Sequence, residues 1–334
     1  MTERPIRLGL ETEAIWGFLA ELTTAAAVVA QELGMEAHQV SNSADEAQVD
    51  VLLTIGSFNL YPDLIVRPHT ARRVLWHVEP LPRPASGVAN RLHRMVPTGK
   101  LLDLSRAALP PLARSAAWRR WREEAANVRE PANNLAWLRR HAPAVDRVVI
   151  DTAERAQAAL AAGIALDVVP FGYHPAYAGP LADPAAERDI EVLTLANIDP
   201  VARRYRLIKG ITADLAQSNV ELVQVPGHTY GEGRRRILER ARVVLDVHRL
   251  PGSHPLFRLI LSAAAGAAMI SEPLDHPEPL VPGVHYIEAD TDGLAAAIQD
   301  LLADEPRRRR IVEAAQALLT TDLDLRRTLP RALG

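Results

Sequence analysis

Two doubly wound α/β domains in tandem are the fold this sequence predicts. The 334-residue length is about twice an ordinary domain. Short β-rich apolar runs alternate with Ala/Leu-rich segments of helical length, the pattern of βαβ units and parallel sheets. The runs are near-continuously apolar, as expected of strands covered by helices on both faces.

In the first half the runs are 5–10 (PIRLGL), 36–40, 49–55 (VDVLLTI), 73–78 (RVLWHV), 146–151 (DRVVID) and 166–170. Helices are expected at about 14–34 and 152–162, with an irregular, helix-rich stretch at about 86–142. The second half alternates more regularly. Strands at 190–195, 219–225, 242–247 and 267–271 are separated by helices at 200–217, 231–240 and 254–265. Helices at about 291–303 and 305–319 follow. Residues 172–188 (GYHPAYAGPLADPAAER) break the rhythm with prolines and glycines. The expected division is therefore a first domain at 1–171, a hinge at 172–189, a second domain at 190–319, and a tail at 320–334 that packs back on the first domain.

Composition narrows the function. The chain has 38 Lys+Arg against 41 Asp+Glu, a formal net charge of −3, 48% hydrophobic residues and no cysteine. This is globular composition without the charge of a general nucleic-acid binder. Disulfides, thiolate metal sites and cysteine nucleophiles are excluded. The longest apolar stretch, about 259–270, is too short to span a bilayer. Arg4 and Arg7 flank a strand-like run where an export signal would carry an apolar core. A cytoplasmic protein is expected.

Ligands of open α/β sheets sit at the carboxyl ends of strands. Four such places carry candidate chemistry. After strand 190–195, Asn197 and Asp199 suit a helix cap, and Arg203, Arg204, Arg206 and Lys209 fall in the first turns of the helix. This combination suits phosphate, or equally a solvated basic face. After strand 219–225, Gly227, Gly231 and Gly233 allow close backbone approach, without a P-loop Lys-Ser/Thr. Strand 242–247 is followed by His248, Arg249, His254 and Arg258, beside Ser271 and Glu272 of the next strand. In the first half, His77 and Glu79 lie two apart and share a face if the strand persists. They read as an acid/base or hydrogen-bonding pair, or as an ion pair. Two ligands are too few for a metal site. The first βα turn, LGLETEAIWG, lacks Gly-x-Gly-x-x-Gly and carries Glu11 and Glu13, against a nicotinamide or flavin dehydrogenase. Tryptophans among the arginines of 114–140 suit an anionic membrane surface, or an ordinary helix with an aromatic edge.

The second half resembles the nucleotide-sugar-binding domain of GT-B glycosyltransferases, in the bacterial group-1, CgeB-like branch. The resemblance runs from about Val168 to Leu319 through VVPFGYHPAY, EVLTLANIDPVARR, YGEGRRRILERARVVLDVHR and AAAGAAMISEPLDHPEPLVPGVHYIEAD. VLWHVEPLP extends it into the first half. It implies two Rossmann-like domains with an interdomain cleft. It also implies a nucleoside diphosphate sugar as co-substrate, no cofactor, no metal, and retention of anomeric configuration. The acceptor would be a glycan, a lipid-linked precursor or a small molecule; no nucleic-acid partner is expected, and membrane contact would be peripheral.

Carried over by position, Asn197, Arg203 and Arg204 approach the diphosphate. Gly227 and Tyr230 lie near the base. His248, Arg249 and Arg258 line the donor, and Ser271 and Glu272 lie at the ribose or sugar edge. His77, with Glu79, serves the sugar from the first domain. Relatives carry glutamates where this chain has Pro255 and Leu261, and paired glycines where it has Gly9-Leu10-Glu11, so Glu272 is the expected stand-in for a ribose contact. A non-catalytic GT-B-like protein binding a nucleotide sugar or a partner is the alternative, and a GT-B isomerase or phosphorylase a third.

Overall fold

The computed structural model describes residues 4–11, 17–57, 69–82, 131–195, 203–225 and 229–334. Two all-parallel sheets form two Rossmann-like domains. The first contains β1 (Arg7–Glu11), β2 (Glu36–Val40), β3 (Val51–Gly56), β4 (Arg72–His77), β5 (Arg147–Ile150) and β6 (Asp167–Val168), in the order β2-β1-β3-β4-β5-β6. The second contains β7 (Ile190–Thr194), β8 (Leu222–Gln224), β9 (Ala241–Asp246), β10 (Ala268–Ser271) and β11 (Ile287–Glu288), in the order β11-β10-β9-β7-β8. In both sheets the winding direction reverses beside the first strand, at β1/β3 and at β7/β9. Such switch points are where open α/β sheets take ligands, at the strands' carboxyl ends.

The central strands are buried on both faces. Leu8, Leu53, Val74 and Trp76 of the first sheet, and Leu193, Val244, Leu245 and Ile270 of the second, are essentially inaccessible. Gly9 is needed within β1, because a Cβ there would lie 2.7 Å from Val40 and 2.9 Å from Val49.

The structure adds elements that the sequence reading lacked. A one-turn helix, Ser43–Glu46, is capped by Asn42, whose side chain accepts from the Ala44 and Asp45 N–H groups. β11 and a helix at Leu325–Leu333 are also new. β6 is two residues long where five were expected. Most of the stretch 86–142 lies outside the described residues, including most of the tryptophan–arginine segment 114–140. Its end, 131–141, is helical, with Trp137 stacked on His141 at 4.9 Å.

The two domains share one continuous apolar cluster along the connecting segment. Phe18, on the helix Phe18–Glu32, meets Phe257 edge-on at 5.0 Å and Tyr177 at 6.3 Å. Glu21 of the same helix accepts from the Gly231 N–H and the Arg234 guanidinium, each at 2.6 Å. Within 172–189, Tyr173 and Tyr177 are buried, and Arg188 donates to the Glu239 and Ala265 carbonyls. The helix Leu325–Leu333 packs on Phe18–Glu32 and β4. Its lead-in pairs with Tyr173 through hydrogen bonds of 2.5 and 2.9 Å. Gly172 sits under this crossing, where a Cβ would lie 2.6 Å from the Leu325 nitrogen.

Candidate functional site

The β7/β9 switch point gathers the polar groups of the second domain. Four side chains come from two strand ends: Asp246 closes β9, His248 follows it, Ser271 closes β10 and Glu272 follows it. All four are buried. Arginines reach them from two helices, Arg203 and Arg204 from Arg203–Ala216 and Arg258 from Leu256–Ala264.

Glu272 is the organising acceptor. It takes the His248 backbone N–H at 2.7 Å, the Thr291 hydroxyl at 3.2 Å, and both ends of the Arg203 guanidinium, one at 2.9 Å. Burial pushes its carboxyl up, but the Arg203 and His248 hydrogen bonds outweigh burial, and the group stays below the usual carboxylate range. Its protein partners account for both oxygens, so it holds Arg203 and the His248 backbone in place.

His248 has a defined tautomer. The Gly252 N–H donates to Nδ1 at 3.1 Å, which leaves the proton on Nε2 to meet the Ser271 hydroxyl at 2.8 Å. Burial lowers its pKa, so the ring is neutral at neutral pH. Asp246 lies 3.4 Å from Nε2 and pairs with the Arg258 Nε on its other side. Sequence reading passed over Asp246 because it lies inside the apolar run 242–247; the signal was the Asp-x-His-Arg run at a strand end.

Arg204 lies largely buried beside these groups. Its Nε donates to the Val247 carbonyl at 2.9 Å. Burial, together with the Arg258 and Arg249 charges, lowers it to about 9, with Asp246 and Glu272 opposing. It is still cationic at neutral pH, but in a place that disfavours its charge. Among the described residues, Arg203, Arg204 and Arg258 lie with Asp246 and Glu272, three guanidinium groups against two carboxylates, and Arg249 acts on Arg204 by its charge. Arg206 and Lys209, on the same helix, are exposed.

The remaining candidates divide. Tyr230 is 38% exposed, precedes the helix Gly231–Leu238, and lies with its ring against Gly17 of the first domain. Asn197 and Gly227 lie outside the described residues. His77 is fully buried at the end of β4. Burial, then the Arg155 charge, lowers its pKa to about 3. β4 ends at His77, so the alternation that would align Glu79 with it does not extend that far. Glu79 is half-buried and acts on Arg155. Among the described residues, no three His, Asp or Glu side chains are grouped to hold a metal, and no helix is long and apolar enough to cross a membrane.

A cavity of about 240 Å³ is lined by Asp151, Thr152, Ala153, Val168 and Pro170, by Glu278 and Pro279, and by Asp322 and Arg331. Two larger surface grooves, of about 680 and 840 Å³, lie at the amino ends of the strands, away from these groups.

With this geometry in hand, comparison with known proteins is informative. Residues 200–333 match a family described as Glycosyl transferase-like. No curated protein matches the chain by sequence. Several solved structures match its fold. An α-glucosyltransferase in complex with UDP and a 13-mer DNA containing an HMU base aligns with a TM-score of 0.57 at 9% identity, covering 98% of each chain. Anabaena Alr3699/HepE in complex with UDP and glucose aligns at 0.52 and 11% identity, covering 98% of this chain and 99% of that one. TarM aligns at 0.56 and 9% identity, and the chain spans 57% of its length. At these identities the likeness establishes the two-domain GT-B architecture. The family match covers the domain that carries the arginine site.

Proposed function

We propose that the chain is a glycosyltransferase that moves a glycosyl unit from a nucleoside diphosphate sugar to a hydroxyl-bearing acceptor. The observation that carries this is the guanidinium cluster at the β7/β9 switch point, where buried Arg204 lies beside Arg258 and among three guanidinium groups that share the two carboxylates Asp246 and Glu272. A nucleoside diphosphate sugar brings two negative charges on its diphosphate, and bidentate arginine hydrogen bonds suit phosphate oxygens. The match of residues 200–333 to a glycosyl transferase-like family supports the same reading. Neighbouring structures solved with UDP make a uridine nucleotide the first donor to test.

Transfer breaks the bond between the anomeric carbon and the diphosphate oxygen and forms one from that carbon to the acceptor hydroxyl oxygen, whose proton passes to the leaving diphosphate. Negative charge grows on the leaving group while the sugar gains oxocarbenium character. Arg203, Arg204 and Arg258 stabilise that charge without reorganising, because Glu272 and Asp246 already hold two of them in place. A metal ion is not required by this scheme, and the reaction proceeds with retention. His77 meets the transferred sugar from the first domain, and closure of the domains excludes water. The acceptor is a glycan, a lipid-linked precursor or a small molecule, and the reaction is cytoplasmic.

The test is turnover. Incubating the protein with UDP-, GDP- and ADP-sugars and assaying nucleotide release should identify one donor that is consumed, by transfer or slow hydrolysis. Arg258→Ala and His248→Ala should lose that turnover while remaining folded. One observation favours a second reading, a non-catalytic nucleotide-sugar binder: the helix Leu256–Ala264 presents Leu261, and its cap Pro255, as buried apolar residues in place of carboxylates. Donor binding without turnover of any sugar nucleotide would overturn the enzymatic reading in favour of that one.

A further inference from the structure

A second group of arginines lies at the other end of the second sheet, where nothing in the donor reading places a ligand. The groove of about 840 Å³ at the amino ends of β7 and β9 is lined by four arginines from three segments. Arg188 precedes β7, Arg242 lies at the start of β9, and Arg308 and Arg309 stand on the helix Glu305–Thr320. Arg188 is buried and the other three are half-buried.

Two of the four are accounted for by the protein. Arg188 donates to the Glu239, Ala265 and Asp183 carbonyls at 2.6, 2.8 and 3.1 Å. Arg309 pairs with Glu305 one turn away. The other two are not. Arg242 uses only its Nε, on the Arg188 carbonyl at 3.1 Å, and Arg308 uses Nη1 on the Leu302 carbonyl at 3.4 Å. Among the described residues, no carboxylate forms an ion pair with either. Asp189 is taken by Arg240, Glu305 by Arg309, and Glu187, the remaining acid of the lining, is exposed.

Arg308 stands at the centre of the group. Burial lowers its pKa, Glu305 opposes, and the charges of Arg242 and Arg309 lower it further. Its own charge acts in turn on Arg188, where Glu239 and Asp183 oppose burial. Long cationic side chains ordinarily carry their heads out to water, and like charges held together away from it repel. The chemistry that would relieve them is specific. Arg242 keeps both Nη groups free and Arg308 keeps its Nε–Nη2 edge, so each offers a forked donor. A carboxylate brings one charge to two guanidinium groups. A phosphate monoester brings about two, on three acceptor oxygens.

We propose that this groove is a phosphate-binding site, in which Arg308 and Arg242 hold an inorganic phosphate or a phosphate monoester at the opposite ends of the strands from the switch point. The site is separate from the proposed donor site and does not depend on it. A soluble phosphate and the headgroup of phosphatidic acid present the same chemistry to the two guanidinium groups, and the experiment separates them.

Calorimetric titration of inorganic phosphate, without sulfate or divalent cations, into the wild type, Arg308→Gln and Arg204→Met tests it. The wild type should bind phosphate in this groove. Arg308→Gln should weaken that binding by about 10- to 100-fold, the value of a hydrogen bond to a charged group. Arg204→Met, which changes only the switch point, should leave it intact. Arg308→Gln removes a cation that lies among cations, so without phosphate it should resist urea as well as the wild type does. Arg242→Gln gives the same reading if that variant does not fold. Co-sedimentation with phosphatidylcholine vesicles, with and without phosphatidic acid, identifies the source. Sedimentation that needs phosphatidic acid and is lost in Arg308→Gln assigns the groove to a headgroup; phosphate binding without it assigns the groove to a soluble phosphate. A wild type that binds neither probe overturns the proposal. So does binding that is unchanged in folded Arg308→Gln or Arg242→Gln, or that is lost only in Arg204→Met.

Discussion

Replacing Glu272 separates its two structural duties. The Glu272 side chain is 4% exposed and that of Arg203 24%. Removing one partner of a fully buried ion pair costs about 3–5 kcal/mol. Water reaches part of the Arg203 guanidinium and lowers that figure, so Glu272→Gln should cost about 2–3 kcal/mol, with the amide oxygen still accepting the His248 N–H. Glu272→Ala leaves that N–H without its 2.7 Å partner and should cost about 1–2 kcal/mol more. Urea unfolding at pH 7 gives both values. At low pH the difference between glutamate and glutamine should shrink. Glu272 has a depressed folded-state pKa, so its contribution is present above the ordinary glutamate range and is lost as pH falls through the lower folded value. Equal losses below about 1 kcal/mol in both variants would refute the claim that Glu272 organises the site.

Three other outcomes are expected. Stability should fall as pH drops from 6.5 toward 4. The unfolded histidines charge near 6.5 while His254 and His77 stay neutral down to about 4 and about 3, so the unfolded state binds more protons in this window. Each contributes a slope of about 1.4 kcal/mol per pH unit, and His254→Gln or His77→Gln should flatten urea-derived stability between pH 7 and 5 by that increment. Gly172→Ala drives a Cβ into the Leu325 and Leu323 backbone; it should cost about 2–3 kcal/mol and speed proteolytic removal of the helix Leu325–Leu333. Gly210→Ala, with open space around its Cβ in a helix, should instead raise stability by about 0.5–1 kcal/mol.

The two-domain α/β architecture was legible because its determinants are local. Apolar runs such as VDVLLTI and RVVLDV are buried on both faces and have helical segments between them. The elements that escaped notice depend on tertiary context. β11 is two residues long and exists because Ile287 and Glu288 pair with Ile270 and Ser271. The helix Leu325–Leu333 carries Pro330, which argues against a helix in isolation; its buried Leu325, Leu329 and Leu333 are paid for by docking.

At the site, the sequence singled out the strand-end cations with Ser271 and Glu272 but not the pairing among them. Arg203, His248 and Arg258 were visible as polar residues beside apolar runs. Glu272 was read as a ligand contact, yet it is occupied by Arg203, His248 and Thr291, which come from three separated segments. Asp246 was read as part of the apolar run 242–247. Its importance comes from Arg258 lying over it, and spacing along the chain does not encode that.

The central claim is that the arginine cluster at the β7/β9 switch point is a diphosphate site. Its most direct test is titration of UDP, GDP and ADP, without divalent cations, into the wild type and Arg204→Met, alongside ligand-free unfolding of both proteins. Removing a buried cation that lies among cations should leave the ligand-free variant at least as stable as the wild type. The nucleotide that binds the wild type should bind the variant at least about 30-fold more weakly, the loss of a charge-assisted hydrogen bond. Unchanged nucleotide affinity in the variant, or no nucleotide binding to the wild type, would contradict the account.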